Sequence, residues 1–82
     1  MGERLRKARG KVVGTKQTIK ALEKGEALQV YIAGDADEKV IRPVVSLCGE
    51  KEVEPLYVDS MGELGKMCGI KVKAASAAIT ED

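Results

Sequence analysis

The run Leu28-Gln29-Val30-Tyr31-Ile32-Ala33 is apolar at five of its six positions. A strand with one face in water alternates apolar and polar side chains, whereas a strand covered on both faces reads as a near-continuous apolar run. Residues 28–33 are therefore expected to form a strand with helices packed on both sides, and the flanking segments must supply them. Thr15 to Lys24 reads as one such helix. Ile19 and Leu22 lie on one side, Lys16, Lys20 and Lys24 repeat every four residues on the other, and Gly25 follows as a natural C′ residue. After the run, Gly34-Asp35-Ala36-Asp37 supplies a turn and an N-cap, and Val40, Val44, Leu47 and Cys48 recur at helical spacing until Gly49. Pro43 falls inside this pattern, where it removes a hydrogen bond, so a bent first turn or a helix beginning near Arg42 or Pro43 is expected.

The remaining segments continue the alternation. Glu3 to Arg9 reads as a short basic helix stopped by Gly10, Lys11 to Val13 as a brief strand, and Val53 to Val58 as a third strand with Pro55 near its start. Ser60-Met61-Gly62-Glu63 has the form of a capping box and opens a short helix that Gly69 ends. A loop, Gly69 to Lys73, leads into Lys73 to Ile79, where alanines at 74, 75, 77 and 78 would let helices pack closely on a central strand. Alanine has poor β propensity, so this last strand is inferred from its place in the alternation. The order implies an α/β fold, a three-layer α-β-α sandwich with a small mixed four-stranded sheet. Eighty-two residues suit one domain with a single modest core and at most one site.

Composition then removes most chemistries. The chain has no histidine, the commonest general base and metal ligand, so an enzyme, a metal or a cofactor is not expected. Cys48 and Cys68 lack C-x-x-C spacing and read as small buried hydrophobes. Asp35 and Asp37 suit a turn and an N-cap better than a catalytic pair. Gly10 to Lys16 evokes a phosphate-binding P-loop, but its glycines are one residue too close and its lysine follows the threonine. Gly62 to Gly65 has the bare G-x-x-G form of a KH clamp, yet the capping box explains it and no lysine lies between the glycines. Two tyrosines without phenylalanine or tryptophan exclude a base-stacking platform. No apolar run approaches the roughly 18 residues of a membrane span. Met1 to Gly10 is charged where a signal peptide would be apolar. A soluble, cytoplasmic protein without a membrane partner is expected, and a monomer, since nothing suggests a dimer.

The net charge of +1 conceals a steep asymmetry: residues 1–24 carry +6, residues 25–65 carry −6, and residues 66–82 carry +1. A basic face for a polyanion, with an acidic face turned away, would produce it. The basic part includes Gly14-Thr15-Lys16-Gln17-Thr18-Ile19-Lys20, a small-residue turn running straight into a helix. Thr15 is the expected N-cap, with Gly14 allowing the sharp turn out of the preceding strand. The unpaired amides and the positive dipole end of such a helix favour a phosphate. Without aromatic platforms, an RNA would be held by groove contacts, phosphates and small apolar caps.

These residues resemble the kink-turn-binding ribosomal-protein family, and within it the small bacterial ribosomal-protein-like members. The resemblance covers most of Lys11 to Ile79. It rests on Gly14-Thr15-Lys16-Gln17-Thr18-x-Lys20, on Ala33-Gly34-Asp35-Ala36-Asp37, on Val44-Val45-Ser46-Leu47 and on Glu63-Leu64-Gly65-Lys66-x-x-Gly69-Ile70-x-Val72-x-Ala74-Ala75. It implies an α-β-α sandwich that binds, without catalysis, a structured RNA with a three-nucleotide bulge followed by sheared G·A pairs, in a ribosomal or regulatory setting. By that likeness Gly14 and Thr15 open the helix into the distorted major groove, Lys16 contacts guanine O6 or N7, Gln17 meets nearby base edges, and Lys20 holds phosphate or sugar. Ile70 and Val72 would cap an extruded nucleotide, with Lys71 and Lys73 on phosphates. Archaeal and eukaryotic members usually carry Asn-Glu where this chain has Lys16-Gln17, which implies a larger phosphate share and a steeper salt dependence. Other readings are a detached substrate-binding module of an RNA 2′-O-methyltransferase, a small phosphate-binding enzyme, and a protein adaptor using the acidic middle.

Overall fold

The computed structural model describes residues 3–82. Eight elements follow one another: α1 (Glu3–Lys7), β1 (Gly10–Val13), α2 (Thr15–Glu23), β2 (Gln29–Ala33), α3 (Glu38–Glu50), β3 (Pro55–Val58), α4 (Met61–Met67) and β4 (Ser76–Glu81). The strands form one mixed sheet in the order β1-β4-β2-β3, with β4 antiparallel to both β1 and β2, and β2 parallel to β3. β1, β2 and β3 therefore all end, and β4 begins, along the same edge. Val13 stands opposite Ala77, Ile32 opposite Ser76, and Ala33 opposite Val58.

From Val30 to Ala33 the apolar run is buried on both sides, as its composition requires, whereas Leu28 lies before the strand and is exposed. Tyr31 and Ala33 point to the face where Leu5 of α1 and Leu64, Met67 and Cys68 by α4 pack, together with Ala77 and Ile79. Val30 and Ile32 point to the opposite face, against Leu22 of α2, Val44 and Cys48 of α3, and Ala78. Full burial of a Val or Ile side chain contributes about 1.5–3 kcal/mol, and Val30 and Ile32 are both fully buried. Ala77 and Ala78 are fully buried too, too small to hold either helical layer away from β4. Both cysteines lie in these cores, and burial pushes each thiol's pKa up, as befits small hydrophobes.

Several boundaries differ from expectation, each for a local reason. α3 starts at Glu38, capped by Asp37, whose Oδ1 accepts from the Lys39 N–H at 2.9 Å. It then runs through Pro43 without restarting near Arg42, with Val44 and Cys48 holding it to the sheet. It also passes Gly49, and the left-handed residue that ends the turn is Glu52 (φ 57°). Val53 donates to the Cys48 carbonyl at 2.9 Å, so the chain is still closing the helix there and β3 begins only at Pro55. β4 begins at Ser76, not Lys73, because the preceding residues bring the chain round: Ala74 N–H donates to Met61 O, and Ala75 O accepts from Ala33 N–H. Only half of the expected capping box forms. Ser60 Oγ accepts from Glu63 N–H at 3.0 Å, while the first amide of α4, that of Met61, donates to Asp35 Oδ1 at 2.8 Å.

Arg4 ties α1 to the end of β4 through a two-pronged pair, Nε to Asp82 Oδ1 at 3.0 Å and Nη2 to Oδ2 at 2.9 Å. This hydrogen bonding holds the Asp82 carboxyl below the usual carboxylate range and raises Arg4. Because the folded pKa of Asp82 is depressed, the pair's support is present above the ordinary aspartate pKa and fades as pH falls through the lowered value. An NMR titration should find the Asp82 carboxyl below an unpaired aspartate, and Arg4→Ala should return it upward. Pro43→Ala restores an N–H that can donate to the Lys39 carbonyl one turn earlier. It should stabilise the fold by about 1–3 kcal/mol, seen as a higher denaturant midpoint with an unchanged slope.

Candidate nucleic-acid interface

The edge where β1 and β2 end and β4 begins carries the expected site residues. Gly14, not Thr15, is the N-cap of α2, and its φ of 102° and ψ of 152° lie where a side chain would be strained. Thr15 is already helical, and its Oγ1 is spent on Ser76 Oγ, 3.1 Å away. Thr18, fully buried, donates its hydroxyl to Gly14 O at 2.8 Å, alongside its own amide at 2.9 Å. No side chain caps the first turn. Its amides remain available as donors at the positive end of the helix dipole, next to a cationic side chain.

Lys16, Gln17 and Lys20 are exposed on the outer face of α2, and Thr18, Ala21 and Leu22 are buried on the inner one. Among the described residues the ion pairs are Arg4–Asp82, Lys7–Glu3 and Arg42–Glu38, so Lys16, Lys20, Lys71 and Lys73 have no acidic partner. Lys11, by contrast, is committed to structure: its Nζ donates to the carbonyls of Leu5 and Arg6 at the end of α1.

The loop between α4 and β4 divides its two apolar residues. Ile70 is partly buried and packs against the core beside α4, so only part of its side chain faces outward. Its amide donates to Gly65 O at 3.0 Å, which draws the side chain inward. Val72 is 69 % exposed, flanked by the exposed Lys71 and Lys73. An exposed valine between two lysines, held on a loop whose other apolar residue is anchored, is a surface suited to an apolar partner in a polyanion.

Ser76 joins the two halves. Its backbone carbonyl accepts from Gly14 N–H at 2.8 Å, its hydroxyl meets Thr15, and it is fully buried three residues after Lys73. Neither Ser76 nor Thr18 is among the site residues expected from sequence. The available signals were a lone hydroxyl inside an alanine run and a threonine on the apolar side of an amphipathic helix. Asp35 and Asp37 serve as backbone acceptors, at Met61 and Lys39. An open apolar hollow lined by Val45, Cys48, Val53 and Pro55 lies where β3 begins, at the other end of the sheet. Among the described residues no group of three or more His, Cys, Asp or Glu could hold a metal ion, and no helix is long and apolar enough to cross a membrane.

A mixed four-stranded sheet between two helical layers, with an uncapped, lysine-flanked helix start at one edge, defines the class. The chain belongs to the Ribosomal protein L7Ae/L30e/S12e/Gadd45 family, whose sequence pattern matches residues 3–82. It is 48 % identical over 77 residues to an RNA-binding protein of Halalkalibacterium halodurans, with 94 % of each chain covered. It is 52 % identical over 68 residues to RNA-binding protein YbxF of Geobacillus stearothermophilus, with 83 % of each covered. Neither relative is named as an enzyme. Among solved structures, a Giardia lamblia 15.5kD RNA binding protein matches at a TM-score of 0.87 and 24 % identity, covering 99 % of this chain and 68 % of that one. At that identity the likeness is one of fold.

Ser76→Ala removes the hydroxyl pair with Thr15 while leaving the backbone bond to Gly14. A loss of about 1 kcal/mol is expected, with faster hydrogen exchange at the Gly14 and Thr15 amides and none in β2.

Proposed function

We propose that residues 1–82 act as a single, non-catalytic RNA-binding domain that recognises and stabilises kink-turns in structured RNA, ribosomal or regulatory, as a monomer in the cytoplasm. The observation that carries this reading is the convergence, on one sheet edge, of an uncapped helix start with unpaired lysines and a loop that presents Val72. The relatives named as RNA-binding proteins support the RNA part.

The mechanism is selection of a bent conformer. Two helical arms folded together repel through their phosphates, and the protein shifts that equilibrium only by its differential affinity for the bent state. Gly14 and Thr15 aim the first-turn amides of α2 at the distorted groove. A-form RNA keeps its major groove too narrow for side chains, and unwinding at sheared G·A pairs opens it to Lys16 and Gln17. Lys20, Lys71 and Lys73 take phosphates, and Val72 covers an unstacked base. Ile70 contributes from beneath, as the anchor of the loop. A cation and an amide at 16 and 17 favour phosphate and acceptor-edge contacts over acceptance from guanine amino groups, so affinity should fall steeply with salt.

A fluorescence donor and acceptor on the two arms of a kink-turn RNA in low magnesium should show increased energy transfer on adding the protein. Unchanged transfer on saturated binding would contradict the mechanism. Lys16→Ala with Gln17→Ala should abolish the preference for that RNA over a duplex lacking the G·A pairs; equal weakening for both RNAs would indicate an unspecific electrostatic patch.

A further inference from the structure

We propose that Gly65 is a positioning residue for the binding loop: the missing side chain lets the 70–73 backbone lie directly on α4, and this sets how far Val72 and its flanking lysines stand out. The inference rests on the RNA-binding reading of that loop. Gly65 is buried in α4, and a Cβ there would run into the carbonyl of Val72. The obstruction is main chain, so it cannot be relieved by turning a side chain. Gly65's φ lies outside the left-handed region, so its requirement is for space and not for backbone freedom.

Two further contacts fix the loop to the same helix. Ile70 N–H donates to Gly65 O at 3.0 Å, and Ala74 N–H donates to Met61 O at 3.1 Å, one helical turn apart along α4. The loop thus spans a single turn, with both ends held and its middle resting where the Cβ is absent. Ile70 fills the core edge, and Val72, which gains nothing from packing, is directed outward. The Asp35 bond to Met61 N–H connects this helix start to the turn after β2, so the height of the loop is referred to the sheet edge that also carries Gly14. Gly65→Ala should push the loop off α4 and misplace Val72 relative to α2 without replacing any side chain assigned to RNA.

The test is a double-mutant cycle with a kink-turn RNA hairpin, read by equilibrium binding, thermal melting of the free protein and amide resonances of residues 71–73. Gly65→Ala should move those resonances and weaken binding about tenfold, whereas in a Val72→Ala background the same change should cost only about threefold, the part carried by the displaced lysines, as for coupled neighbours. A full additional loss in that background, or unmoved resonances in the folded variant, would overturn the proposal. Unchanged affinity in Val72→Ala alone would instead overturn the apolar contact assigned to the loop, which keeps the two failures distinct. If Gly65→Ala does not fold, a glycine inserted between Val72 and Lys73 gives the backbone room to lift. The combined variant should then fold and bind weakly, and either full affinity or persistent unfolding would contradict the positioning role.

Discussion

β4 is hydrogen-bonded on both sides, to β1 and to β2, and it runs against all three other strands. That reversal makes the chain arrive at β4 from the edge at which β1 and β2 leave, and it places Ser76, where the α4–β4 connection ends, beside Gly14 and Thr15 at the start of α2. Two backbone bonds register the meeting, Gly14 N–H to Ser76 O at 2.8 Å and Ala33 N–H to Ala75 O at 2.9 Å. The inner pairing in turn requires that β4 accept helices on both faces, and fully buried Ala77 and Ala78 leave the space for them. Small side chains in the middle of the sheet are thus the condition for large and charged ones at its edge.

Charge is distributed to match. At the back of the fold, cations are used to hold structure together, as when Arg4 closes on Asp82 and Lys11 on the last carbonyls of α1. At the proposed binding edge, Lys16, Lys20, Lys71 and Lys73 are left unpaired, and the first turn of α2 has no side-chain cap. Leaving a helix end unsatisfied and like charges near one another costs stability, the kind of local conflict that functional surfaces retain. An incoming polyanion would resolve both at once.

Much of this was legible in the residues. The apolar run at 28–33, the glycines at 25 and 69 and the alternation of helical and extended patterns carried the layers and the order of the elements, since each reflects a local backbone or burial requirement. α3 was harder to read because tertiary packing by Val44 and Cys48 overrides the local cost of Pro43. A threonine side chain is a good cap in isolation, so local sequence favours Thr15 as the cap of α2, and only the long-range pairing with Ser76 shows where its hydroxyl goes. Ile70 and Val72 have the same chemistry and differ only in the path of the loop. That path depends on Gly65 and on contacts between residues 61–65 and 70–74, which no periodicity encodes.

The central claim is that the start of α2 and the 70–73 loop form one surface for one kinked RNA. Amide resonances followed during titration with a kink-turn RNA, and separately with a continuous duplex of equal length, test it most directly. Gly14 to Lys20 and residues 70–73 should shift together and saturate at one RNA per protein, with the start of β3 unmoved and only weak changes for the duplex. Shifts confined to α2, or the same pattern and strength with both RNAs, would contradict a shared surface for the bent form.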